Sequence, residues 1–260
     1  MFHPTSNSRF SNFVLNKHRS FSLFSFFALT LLFATHAAHA ATIKTFSAKY
    51  EVQAFDIKLG TSVQTLECNG QECTLTAKAK PSGLASMFIN EATEEVIHLK
   101  QTDNELIWQS YQKTTHTNSK TPEILKTVKF VKTETDPVQV HYVEKDRFWP
   151  LHSKLFDMVS MAYALQYAKL NQQPLNNFYL QDTGAQDAVT VEPYGEAENL
   201  ELADLETSVE SEQYRFETSK AKVKIWLLPR YDYFPGRIDV YNIESEKTIT
   251  LILEELPKPL

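Results

Sequence analysis

Hydrophobic and polar residues alternate with a period of two along most of the chain after residue 40. Apolar residues occupy every second position in residues 46–54 and again in residues 73–80. This alternation is typical of strands that bury one face in an antiparallel sheet. Residues 94–100 with 105–113, and 125–133 with 138–144, form two predicted sequential hairpins. Together with the strands predicted in the second half of the chain, these give about a dozen strands, which is too many for a flat open sheet.

One segment departs from this alternation and predicts an amphipathic helix over residues 153–170. Its apolar residues recur at helical spacing: Leu155, Met158, Val159, Ala162 and Leu165. Asn171 and Pro174 mark its end. We therefore predict a mainly β fold, a strongly curved antiparallel sheet (half-barrel or open barrel) with this helix packed on its concave side. Residues 83–89 predict a second, shorter helical or loop element.

The first forty residues have the pattern of a secretory signal peptide. Basic residues precede an apolar run at 21–33, and Ala38-His39-Ala40 provides a cleavage site after Ala40. The run of about 15 apolar residues is shorter than a spanning helix requires, although a retained anchor is the alternative. The residue directly after the cut is Ala41, not the cysteine that would accept a lipid. The prediction is a signal peptide at 1–40, a single β-rich domain at 41–260 and a periplasmic product without a transmembrane anchor.

The chain has two cysteines, Cys68 and Cys73, on either side of an Asn-Gly turn. A hairpin with this turn places the two sulfurs opposite each other, and an oxidising compartment favours a bond between them. We predict a structural disulfide. A redox or metal-binding pair is the alternative, but the spacing is not Cys-x-x-Cys.

The charge balance argues against nucleic acid as a partner. Of the 26 basic and 32 acidic residues, residues 1–40 hold three basic and no acidic ones, so 23 and 32 remain and the charge is −9. Such a chain repels phosphate backbones and anionic membrane surfaces. Ten carboxylates and one arginine lie in residues 187–217; we interpret them as a solvated sheet face, with a cation site as the alternative.

Familiar catalytic and metal-binding motifs are missing, and the sequence indicates no catalytic residue, metal ligand or cofactor. Asp157 and Ser160 lie three residues apart near the start of the predicted helix, where we assign them a structural role. A hydrolytic Ser–Asp pair is the alternative, but it lacks an identifiable base. The candidate ligand-binding residues are aromatics near arginines: Arg147, Trp149, Tyr163, Trp226 and Arg237.

Two motifs resemble an exported proteobacterial family, domain of unknown function 3108. They are the Asp-x-x-Ser helix at 156–165 and the Trp-x-x-Pro…Pro-x-Arg-Ile hairpin at 226–238, followed by a last apolar strand. The resemblance covers residues 46–256 and implies a periplasmic protein. Its curved sheet is similar, at the level of fold, to lipoprotein carriers that hold acyl chains in a half-barrel.

These observations give three hypotheses for the function. The first is a soluble, periplasmic, non-enzymatic protein that binds a hydrophobic or lipidic envelope ligand in a groove of the sheet. The second is a structural module that pairs with another envelope protein through exposed strand edges. The third is a hydrolase that uses Asp157, Ser160 or an undetected histidine site.

Overall fold

The computed structural model describes residues 41–203 and 208–257, and the predicted signal peptide lies outside them. This part of the chain folds into seventeen strands, one α-helix and three short 3₁₀ helices. The first eight strands are β1 (Phe46–Ala54), β2 (Ile57–Asn69), β3 (Glu72–Pro81), β4 (Glu91–Gln101), β5 (Leu106–Thr117), β6 (Ile124–Lys132), β7 (Gln139–Tyr142) and β8 (Arg147–Pro150). The middle elements are β9 (Leu155–Phe156), α1 (Met158–Leu170), β10 (Phe178–Gln181), β11 (Gln186–Val189), β12 (Glu192–Pro193) and β13 (Glu198–Leu200). The last strands are β14 (Val209–Glu217), β15 (Ala221–Leu228), β16 (Phe234–Asn242) and β17 (Lys247–Leu253), and the 3₁₀ helices are Gly83–Met87, Val143–Lys145 and Pro229–Tyr231.

Fourteen of these strands form one antiparallel sheet. Its order is β12-β14-β15-β16-β17-β1-β2-β3-β4-β5-β6-β7-β8, with β13 paired to β14. Adjacent strands therefore follow one another in sequence, except that β12 pairs with β14 and the last strand pairs with the first. In the described residues the outermost strands are short, four residues in β8 and two in β12. The sheet is not closed, and the predicted open, mainly β architecture is confirmed.

The segment between the two sheet edges carries the helix. β9 pairs parallel with β10, β10 pairs antiparallel with β11, and α1 lies between β9 and β10 along the chain. We call the face of the large sheet that packs against α1 the inner face, and the opposite one the outer face. On β1, for example, the inner-face side chains include Phe46 and Tyr50, both of which are buried.

The helix begins at a strong N-terminal cap and differs in two respects from the predicted one. It starts at Met158 instead of residue 153, because residues 155–156 pair with β10 as strand β9, and it is not amphipathic. Asp157 is the N-cap, and the backbone hydrogen bond from Asn171 to Tyr167 closes the last turn. The nine residues 160–168 are all buried. The helix is enclosed on every side instead of burying a single stripe, because the large sheet and the small sheet of β9–β11 both cover it.

Two ends of the large sheet are distinguished by their turns. The disulfide end has the turns at 69–72, 102–105 and 229–233, and the rim end has the turns at 54–57, 82–90 and 118–123. On β3 and β4, inner-face residues are buried towards the disulfide end and less covered towards the rim end. On β3, Leu75 and Ala77 are buried, whereas Ala79 and Pro81 are half-buried. On these strands the disulfide-end half of the inner face is therefore covered and the rim-end half is open, whereas Ala221 and Val223 of β15 are buried at the rim end as well.

Candidate functional site

Tyr163 fixes the helix to the covered half of the inner face. Its ring stacks on Phe46 with centroids 5.1 Å apart and meets Phe234 edge-on at 6.0 Å. Its hydroxyl donates a hydrogen bond of 2.6 Å to Oε1 of Gln64, which is also buried. Tyr163 is 1% exposed. The structure thus places this predicted ligand-binding residue in the core, where its ring and hydroxyl already have protein partners.

Asp157 organises a buried polar cluster at the start of the helix. Its Oδ1 accepts from the backbone amides of Val159 and Ser160, at 3.0 and 2.9 Å. Its Oδ2 accepts from the Ser160 hydroxyl at 2.6 Å and from Nε1 of Trp108 at 3.2 Å. Burial raises the pKa of Asp157 to about 6. Four donors hold the carboxylate. One of them, Trp108, belongs to β5, so the helix cap also ties the helix to the large sheet.

Ser160 is not positioned as a nucleophile. It is 0% exposed, and its hydroxyl oxygen also accepts from the backbone amide of Asp157, which completes a capping box. In the described residues, the hydroxyl has no hydrogen bond with a histidine or lysine that would act as a base. The pair therefore shows the geometry of a helix cap.

Glu95 marks the boundary between the covered and the open half of the inner face. Tyr111 donates to one carboxylate oxygen at 2.8 Å, and Lys113 donates to the other at 3.0 Å. Burial, together with the charges of Glu95 and Asp157, raises the pKa of the Tyr111 hydroxyl. Charged side chains on an inward-facing row indicate that this part of the face is in contact with water.

The open half of the inner face forms a shallow groove at the rim end, with a volume of about 200 Å³. Its apolar floor is made by Val52, Ala79 and Pro81, and Thr93 lies on the next strand. Gly60 also lies in this floor. Only glycine fits at this position, because β2 and β3 approach so closely that a Cβ would collide with the carbonyl of Lys80. The remaining groove residues are Leu59, Thr61, Lys80, Ile89 and Glu91. We call these residues the groove.

The other predicted ligand residues form two separate pairs on opposite faces of the sheet. At the edge strand β8, the Arg147 guanidinium lies 4.9 Å from the Trp149 ring centroid, and strand register places both side chains on the inner face. On β15 and β16, the Arg237 guanidinium lies 4.8 Å from the Trp226 ring centroid. The register aligns this second pair with Glu51, on the outer face.

The pair on the outer face is held by acidic partners. Arg237 makes a bidentate contact with Asp239, at 2.9 and 3.0 Å, and Nε1 of Trp226 donates to Glu198 of β13. Trp226 is buried beside β13. Neither residue lies in the groove, and the five predicted ligand residues do not converge on one site.

Two further clefts, of about 210 and 270 Å³, flank the helix. Lys154 lines the larger one, and burial lowers its pKa. Its Nζ donates to the carbonyls of Pro174 and Asn176 at 3.1 Å and lies 4.9 Å from the Phe178 ring centroid. The ammonium therefore stabilises the loop after the helix.

Several described carboxylates of the acidic run between residues 187 and 217 have partners within the fold. Glu192 contacts Arg215 at 3.1 Å, Glu212 contacts Lys169 at 2.9 Å, and Asp187 accepts from Ser219 at 2.8 Å. Across residues 41–203 and 208–257, no three His, Cys, Asp or Glu side chains are grouped closely enough to hold a metal ion. Over the same residues, no helix has the length and apolar character needed to cross a membrane.

Comparison with known proteins identifies the fold but no family. No family model matches the chain, and no curated protein matches it in sequence. A solved structure is similar: a β-barrel-like protein of domain of unknown function DUF1849 from Brucella abortus, with a TM-score of 0.51 and 10% identity. The match covers 85% of this chain and 99% of that one. At this identity the likeness shows a β-barrel-like fold and carries no function across.

Sequence patterns alone did not reveal the groove. Its floor is built from small residues such as Gly60 and Ala79, which the alternation marks as inward-facing without showing whether anything covers them. The inward-facing positions of Glu95 and Lys113 are a usable signal, because charged side chains there indicate contact with water.

Proposed function

We propose that this chain is an exported, non-enzymatic binding protein that holds the apolar part of a lipid-like ligand in the groove. The observation that carries the proposal is the uneven cover of the inner face. The helix seals one half of it, whereas Val52, Ala79 and Pro81 in the other half remain accessible. Apolar surface that the fold leaves uncovered on a concave sheet is a site for an apolar ligand.

The size of the groove limits what it can hold. Its volume of about 200 Å³ is below the roughly 300–1,000 Å³ of sites that enclose a drug-sized molecule. The groove therefore suits a segment of one acyl chain or a similar apolar group, with the rest of the ligand outside. Glu91 lies at its border, where a polar head group would meet it.

Export to the periplasm is part of the proposal. Its supports are the signal-like sequence of residues 1–40 and the disulfide between Cys68 and Cys73. Such bonds persist in oxidising compartments. Membership of domain of unknown function 3108 is proposed on the order of the two motifs, which form the capped helix and the β15–β16 hairpin before the final strand β17.

Filling the groove tests the proposed binding. Ala79→Trp places an indole over the groove floor, and Lys78→Trp adds the same ring to the solvent side of the same strand. We expect a fluorescent fatty acid to bind the wild type and Lys78→Trp alike, with at least about tenfold weaker binding to Ala79→Trp. Native mass spectrometry of gently purified protein should show bound lipid in the same two proteins.

The contrary outcomes are equally specific. Equal fatty-acid binding by all three proteins would place the ligand elsewhere, and the absence of binding and of co-purified lipid in the wild type would refute the proposed function. Recovery of a stoichiometric protein partner without lipid would favour the envelope interaction module. Circular dichroism establishes that both tryptophan variants are folded.

A further inference from the structure

The most exposed apolar side chains of the described residues gather at one end of the sheet. Within residues 41–203 and 208–257, every large apolar residue that is more than half exposed lies in residues 55–57, 84–88 or 124–125. The three largest values are 85% for Phe88, 80% for Leu84 and 76% for Met87. We call the large apolar side chains of these three segments the apolar rim.

The three segments are neighbours in space although they are far apart in sequence. The amide of Ser82 donates to the carbonyl of Leu59 at 3.0 Å, which joins the second segment to β2, next to the first. The amide of Asn118 donates to the carbonyl of Asn90 at 2.9 Å, which joins it to the turn before the third. The apolar rim is thus one continuous feature of the rim end.

The composition of the apolar rim suits a lipid surface. Residues 54–58, 82–90 and 117–126 present Leu, Met, Ile and Phe. Side chains of this kind enter the acyl boundary of a bilayer at little cost. Exposed turns that carry such side chains suit a bilayer, because a fluid surface adapts to the inserted side chains and requires no complementary shape.

Local charge supports the same partner. The chain after residue 40 carries −9, but residues 55–58, 80–91 and 118–126 contain four lysines against three acidic residues. Lys80, Lys120 and Lys126 are exposed beside the apolar rim. A lysine in this position extends to the head groups while its methylene stem stays against apolar surface. The rim end therefore escapes the repulsion that the rest of the chain would meet at an anionic membrane.

We propose that the apolar rim docks this protein on the surface of a phospholipid bilayer, with Leu84, Met87 and Phe88 inserted into the interface. A second copy of the chain is a poorer occupant, since a two-fold contact would set the same lysines against each other. The inference goes beyond ligand binding in the groove, because the inserted side chains Leu84, Met87 and Phe88 lie outside the groove.

Vesicle flotation tests the proposal with the chain that starts at Ala41. We expect it to float with vesicles of phosphatidylethanolamine and phosphatidylglycerol, and the bound fraction to fall at least about tenfold in the triple variant Leu84→Ser, Met87→Ser, Phe88→Ser. Val138→Ser removes an exposed apolar residue at the opposite end of the sheet and should float like the wild type. Replacement of Lys80, Lys120 and Lys126 by Glu should reduce binding more strongly as phosphatidylglycerol increases.

Insertion has its own spectroscopic test. The emission of Phe88→Trp should shift to the blue on vesicles and be quenched by brominated acyl chains, relative to the wild-type background. Wild-type protein that does not float, or a triple variant that floats as well as the wild type, would overturn the proposal. Vesicle-independent dimerisation through the same residues, seen by sedimentation, would also overturn it and favour a second copy.

The outcomes separate the membrane proposal from the groove. Ala79→Trp should lose fatty-acid binding but keep flotation, and the triple serine variant should do the reverse. Failure of one pattern alone therefore identifies which proposal is wrong.

Discussion

At the scale of the single residue, Asp157 combines a structural role with an unusually high pKa. An N-cap aspartate normally lies at the surface, where its charge is solvated and favoured by the helix dipole. Here the carboxylate is buried beneath Trp108 and is stabilised by four hydrogen bonds. Desolvation still dominates, since it raises the pKa to about 6.

The raised pKa predicts a specific dependence of stability on pH. The folded state binds a proton at Asp157 below about pH 6, whereas the unfolded chain binds it only below about pH 4. The contribution of Asp157 to the free energy of unfolding therefore increases as the pH falls from 7 to 5. Asp157→Asn lacks this pH-dependent contribution. We expect the unfolding free energy of the wild type, relative to Asp157→Asn, to increase by about 1 kcal/mol over this interval.

Urea unfolding of both proteins at pH 7 and pH 5 measures this difference directly. Other titrating groups contribute equally to the two proteins and cancel in the comparison. A difference that is the same at both pH values, or that decreases at pH 5, would contradict the raised pKa.

At the scale of elements, the hairpin of β2 and β3 carries the disulfide. Cys68 and Cys73 are directly opposed in the register, with their Cα atoms 4.1 Å apart, and the bond closes a loop with a sequence separation of 5. A disulfide stabilises less when the loop it closes is short. The hairpin is also held by its own ladder and by pairing of β3 with β4, so the bond reinforces a register that is already specified.

Replacement of both cysteines by serine should therefore weaken the fold without abolishing it. We expect the unfolding free energy to fall by about 2 kcal/mol and the melting temperature to fall modestly. Calorimetry of the double variant beside the reduced wild type provides the measurement, and the two should agree. A double variant that fails to fold would show that the bond does more than fix the hairpin.

At the scale of the whole molecule, the predicted start of the exported chain meets the end of the helix. The amide of Ala41 donates to Oδ1 of Asn171 at 2.8 Å, and Nδ2 of Asn171 donates to the carbonyl of Ala41 at 2.9 Å. Asn171 is the C-cap of α1. Cleavage after Ala40 would create an ammonium group at a helix C-terminus, where the dipole favours positive charge.

We therefore predict that the exported protein begins at Ala41. Intact-mass measurement of protein from a periplasmic extract should give the mass of residues 41–260 with one disulfide, and the same chain expressed without residues 1–40 should remain in the cytoplasm. A periplasmic mass that retains residues 1–40, or a full-length chain confined to the cytoplasm, would contradict export by cleavage at this position.

The sequence determined the local features of the fold because their causes are local. Alternation with period two predicted the strands, the turn at Asn69 and Gly70 predicted the disulfide hairpin, and helical spacing followed by Asn171 predicted α1. Each of these signals is contained within a few neighbouring residues. The short strands β8 and β9 escaped prediction, because two to four residues are too few to establish a period.

Only the tertiary structure decided where the helix lies and what it leaves uncovered. Its position depends on contacts such as Tyr163 with Gln64, which are 99 residues apart and carry no local pattern. The same holds for Arg147 and Arg237, which the sequence suggested as parts of one ligand site: the register of a long sheet places them on opposite faces. Periodicity shows which residues face inward, whereas the packing of distant segments decides which of those remain open to a ligand.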